Sequence, residues 1–63
     1  IVAINIWPHS INAADFVEKT LAELKGQNLQ PRNLELELTD VDKLTAKGVE
    51  NLIALKGMGV KLL

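Results

Sequence analysis

The segment Leu34-Glu35-Leu36-Glu37-Leu38-Thr39 places a leucine at every second position and a polar residue between. A period of two is the signature of a β-strand. The three leucines therefore share one face, and Glu35, Glu37 and Thr39 share the other. Upstream, Gln27 to Asn33 contains Pro31 and reads as a loop. Before it, Ala13, Phe16, Val17, Leu21 and Leu24 recur at helical spacing, with Glu18, Lys19, Glu23 and Lys25 on the opposite side. This predicts a helix over 12–26, with Asn12 as N-cap, Asp15 in the first turn and Gly26 at the stop. Ile1 to Ile6 is apolar apart from Asn5 and rich in β-branched residues, a strand over 1–6 closed by Trp7-Pro8. Pro8 biases Trp7 towards extended backbone.

Downstream, Leu44, Val49, Leu52, Ile53 and Leu55 form an apolar stripe. They predict a helix over 43–57 capped by Asp42 or Thr45. Gly48 and Gly57 each weaken it by about 1 kcal/mol relative to Ala. Gly59 ends it, and a third strand covers 60–63. The order is β-α-β-α-β, with strands starting near residues 1, 34 and 60. Helix-length crossovers imply parallel strands joined with a right hand. The fold class is α/β: three parallel strands in chain order with both helices on one face, as an α/β layer or a segment of a (β/α) barrel.

Composition narrows the function classes. The chain has 63 residues, 48% hydrophobic, with seven Lys+Arg against eight Asp+Glu and a net charge of -1. That length allows a single domain, and one that buries only about 60% of its unfolded surface. Without Cys there is neither disulfide nor thiolate metal site, and the single His, His9, cannot build a zinc centre alone. Balanced charge gives no electrostatic reason to bind DNA or RNA. No apolar run approaches the roughly 20 residues of a membrane span, and no basic-then-apolar leader is present. The expected setting is cytoplasmic. The chain opens on Ile1 and closes on Leu63, both in apolar, strand-like sequence. Natural termini tend to be polar and frayed. The expectation is a piece of a larger domain, and the plainer alternative is a complete small protein.

In parallel α/β folds, functional groups gather where strands lead into helices. Asn5 lies near the end of the first strand, and Glu37, Thr39 and Asp40 at the end of the second. On neighbouring strands, the Asn5 amide oxygen and the Glu37 carboxylate converge on one rim. Hard oxygen donors suit Mg²⁺ or Mn²⁺. The plainer reading of Glu35 and Glu37 is a solvated strand face, and that of Asn5 a side chain bonded to nearby backbone. His9 reads as a loop residue and Trp7 as packing. Gly57-x-Gly59 follows a helix and lacks the rest of a phosphate-binding fingerprint.

Four stretches resemble a known family. Val2-Ala3-Ile4-Asn5-Ile6 with Pro8 resembles the V-x-V-N-L-S-P strand of bacterial EAL (Glu-Ala-Leu) domains. Asp15-Phe16-Val17 resembles that family's P-D-F-V helix start, and Leu29-x-Pro31-x-x-Leu34-Glu35-Leu36-Glu37-Leu38-Thr39-Asp40 its L-x-P-x-x-L-E-L-E-I-T-E. Leu52 to Leu63 resembles the stretch preceding its Asp-Asp-Phe-Gly motif. The resemblance spans essentially the whole chain. It implies a portion of a TIM-like barrel from a cyclic di-GMP phosphodiesterase, which yields linear pGpG with Mg²⁺ or Mn²⁺. It implies metal-binding roles for Asn5 and Glu37 and makes Asp40 the second acid of the E-x-T-E motif. The Glu-Ala-Leu signature, the Asp-Asp pair and the catalytic Lys have no counterpart in the 63 residues. The portion alone is therefore expected to be inactive. Trp7 stands where the family usually has Ser, and Asp40 where it has Glu. These departures point to the alternative of a degenerate module that binds cyclic di-GMP or a protein partner. A free-standing small α/β scaffold is the third reading. Uncovered strand edges lead to the further expectation of self-association, or of burial against the remainder of a barrel.

Overall fold

A computed structural model describes all 63 residues. Strand β1 (Val2–Ile6) leads into a short helix α1 (Pro8–Ile11) and then α2 (Phe16–Gly26). Strand β2 (Leu34–Leu38) is followed by α3 (Ala46–Gly57) and β3 (Lys61–Leu62), with 3₁₀ turns at Pro31–Asn33 and Val41–Lys43. The strands form one parallel sheet in the order β1-β2-β3. Leu63 extends the last ladder: its N–H donates to Leu36 O at 2.8 Å, and its carbonyl accepts from Leu38 N–H at 3.1 Å.

The alternation across β2 sorts the molecule into two sides. Leu34 and Leu36 are buried with Phe16, Leu24, Leu52, Leu55, Val60 and Ile11 in a single core, whereas Glu37 is exposed. Both longer helices thus cover the leucine face. Ala3, Asn5, Glu35, Glu37 and Lys61 stand on the other face by register. No helix is long and apolar enough to cross a membrane.

Several element ends differ from the sequence reading. The helix expected over 12–26 begins at Phe16, because Pro8 starts a separate turn of helix at its favoured first position. Asn12 is the C-cap of α1 rather than an N-cap, and Asp15 occupies the N-cap of α2 without a side-chain bond. The helix expected over 43–57 begins at Ala46, since the chain first makes the 3₁₀ turn at Val41–Lys43. Thr45, not Asp42, caps it, its Oγ1 accepting from Gly48 N–H at 3.1 Å. The strands expected over 1–6, 34–39 and 60–63 are shorter, at Val2–Ile6, Leu34–Leu38 and Lys61–Leu62.

The two longer helices stop in the same way. Asn28 N–H donates to Lys25 O and Leu29 N–H to Leu24 O; Gly59 N–H donates to Lys56 O and Val60 N–H to Leu55 O. Each is a Schellman closure with a left-handed residue after the cap, Asn28 at φ 59 and Gly59 at φ 109. Gly26, expected at the stop, is the last helical residue, and Asn28 makes the reversal. Leu24-Lys25-Gly26-Gln27-Asn28-Leu29 and Leu55-Lys56-Gly57-Met58-Gly59-Val60 are the same signal 31 residues apart.

Candidate functional site at the ends of the strands

Parallel pairing places Asn5 directly opposite Glu37, one residue from the C-terminal end of each strand. Equal register in adjacent strands puts both side chains on the same face, away from the core. Both residues are exposed. The Glu37 carboxylate is thus solvated in this chain, and the burial cost that a closed lumen would impose on it is absent. No group of three or more His, Asp or Glu side chains gathers here or elsewhere in the molecule.

Asp40 is not part of that pair. It follows β2 by two residues, in a left-handed conformation at φ 48, and caps the 3₁₀ turn that leads to α3. Asp tolerates this backbone region better than Glu does. The shorter acid at this position therefore has a conformational reason. With Trp7, Pro8, His9, Asn12 and Lys43, Asp40 lines an open pocket of about 520 Å³. The pocket lies between the chain leaving β1 and the chain leaving β2, where parallel sheets gather their ligands. Trp7 takes the extended backbone expected before Pro8 and is 53% exposed, so it does not serve as core packing. Thr39 Oγ1, between Glu37 and Asp40, is buried without a hydrogen-bond partner. Such an atom costs about 1–3 kcal/mol unless a ligand or water meets it.

Two asparagines hold this rim in place. Asn12 Nδ2 donates to Lys43 O at 3.2 Å, and Asn12 Oδ1 accepts from Thr45 N–H at 2.9 Å. One side chain thereby joins the connection after β1 to the connection after β2. Asn51, buried on α3, donates to Ile11 O at 2.8 Å and Ala13 O at 3.0 Å. Gly48 is buried where α3 passes Asn12, and a Cβ there would fall inside van der Waals contact of Asn12 Oδ1. Sequence reasoning missed both asparagine roles, because their partners lie more than 30 residues away.

As a donor set, Asn5 and Glu37 offer one neutral and one anionic oxygen. Mg²⁺ and Mn²⁺ accept such a partial set, since hard cations retain several waters and need only one or two carboxylates from the protein. The pair fits a cation of this class as a portion of its shell. Compared with family models, with characterised proteins and with solved structures, the chain matches none.

Proposed function

We propose that this chain is a β-α-β-α-β portion of an EAL-type (β/α) barrel. In the complete domain, Asn5 and Glu37 hold Mg²⁺ or Mn²⁺ for hydrolysis of cyclic di-GMP to linear pGpG. The observation that carries this reading is the register: the two residues of the motif-like strands meet as direct neighbours on one sheet face. Leucines packed beneath helices on one side, with Asn and Glu on the other, are the arrangement a barrel wall requires. A cation bound there would polarise a phosphodiester oxygen and acidify water. Glu37 contributes the negative charge that retains such a cation, and Asn5 a neutral oxygen beside it. Asp40 stays outside the pair and shapes the rim.

The rim pocket favours a second reading, a module that binds cyclic di-GMP or a protein partner without turnover. Its exposed indole, Trp7, suits a planar base, and the Lys43 ammonium suits a phosphate. Titration of Mn²⁺ into the full-length parent and its Glu37→Gln variant separates the readings. The metal reading expects the variant to bind at least about tenfold more weakly and to lose hydrolysis, with little change in folding. Equal affinities would leave Glu37 a solvated strand residue and favour the binding module.

A further inference from the structure

Side chains tie distant parts of the chain together at one place only. The side-chain hydrogen bonds that span more than 30 residues all run between residues 11–13 and residues 43–51. The others span three or four residues. Asn51 supplies two of the long-range bonds. It is the one buried polar side chain of the molecule, at 3% exposed. A leucine at 51 would continue the apolar stripe of Leu52 and Leu55 without burying an amide. The amide is directed at two backbone carbonyls, those of Ile11 at the end of α1 and Ala13 just beyond it.

We infer that Asn51 is a positioning residue for the rim pocket, acting through α1 on Trp7. Helix α1 has four residues, too few to hold its own geometry. Ile11, fully buried, fixes how deeply it sits. Apolar contact is non-directional, however, and does not fix the roll of so short a turn. Hydrogen bonds are directional, and the two from Asn51 supply that restraint. The path onward is short. Ile11 N–H donates to Trp7 O at 3.2 Å, and Asn12 N–H donates to Pro8 O at 2.8 Å. Two hydrogen bonds in series thus join Asn51 to the residue that carries the exposed indole.

The other wall of the pocket is held from the same segment. Asn12 Nδ2 donates to Lys43 O, and Lys43 N–H donates to Asp40 O at 2.9 Å. Trp7, Pro8 and His9 on one side, and Asp40 and Lys43 on the other, are thereby set against each other before any ligand arrives. A preset pocket captures its ligand without first ordering a loop, which removes that part of the cost of binding. This deepens the binding reading of the rim pocket and rests on it for its purpose. The role assigned to Asn51 is placement of the indole, not added stability, since an apolar side chain at 51 would serve the core better.

Trp7 is the only tryptophan, so its fluorescence reports this wall alone. In Asn51→Leu, the fast, nanosecond part of the Trp7 anisotropy decay is expected to grow at least about twofold. Leu24→Val is the control. Leu24 is buried with Val2 and Leu34 at the starts of the strands, away from the rim. That variant is expected to lower the urea midpoint, read by circular dichroism, and to leave the Trp7 decay unchanged. Should Asn51→Leu fail to fold, Asn12→Ala takes its place with the same expectation, because it releases the same segment from Lys43 and Thr45. An unchanged Trp7 decay in the variant, or equal growth in Leu24→Val, would overturn the assignment, since the bonds would then contribute stability alone. The test contains no ligand. The role of Asn51 therefore stands or falls apart from the binding reading, which titration with cyclic di-GMP decides.

Discussion

Gly48 stands at the third helical position of α3, where intrinsic preference favours alanine by about 1 kcal/mol. The local rule is reversed here by a contact from outside the helix. A methyl group at 48 would displace Asn12 Oδ1, which accepts the Thr45 N–H that the helix itself leaves unpaired. We predict that Gly48→Ala lowers stability by about 1–3 kcal/mol, the cost of the orphaned amide outweighing the gain in propensity. In an Asn12→Ala background the obstacle is gone, and the same change becomes neutral or stabilising. Urea unfolding of the two single variants and the double variant measures the difference. Additive effects, within about 0.5 kcal/mol, would show that the two residues are independent.

At the scale of elements, the two Schellman closures differ in one residue that can be exchanged. Asn28 and Gly59 both hold left-handed backbone, which costs a residue with a Cβ about 1–2 kcal/mol, and Asn less than most. Asn28→Gly is expected to raise the urea midpoint, and Gly59→Ala to lower it by the larger amount; opposite signs would mean that neighbouring contacts decide. These closures were partly legible in advance. The alternation from Leu34 to Leu38 and the helical spacing of Phe16, Leu21 and Leu24 are local patterns, so strand, helix and parallel order followed from them. The start of α2 was not legible, because Pro8 opens a helix too short to show a period. Asn5 and Glu37 could be picked out as strand-end oxygens. The rim pocket could not, since Trp7, Asp40 and Lys43 meet only once both connections are folded back.

At the scale of the whole molecule, 11 of 63 residues are buried, and the accessible surface is 4225 Å². About 4000 Å² is expected for a compact chain of this mass. A core of eight buried apolar side chains is small for independent stability. An Asn–Glu pair that belongs to no group of three or more His, Asp or Glu side chains does not make a complete catalytic site. The 63-residue chain is expected to release no pGpG from cyclic di-GMP with Mg²⁺ or Mn²⁺ present, as read by chromatography; metal-dependent release would mean that the pair suffices. The Asn12 side chain has a consequence for motion. It is the strut between two surface connections that would otherwise fray separately, each on its own timescale. Because one amide group satisfies both ends, neither connection can swing out while the other stays closed. In hydrogen exchange, the Thr45 amide, although it lies in an exposed turn, then trades its proton only when the whole rim opens. The mouth of the pocket behaves as a single gate rather than as two loose flaps.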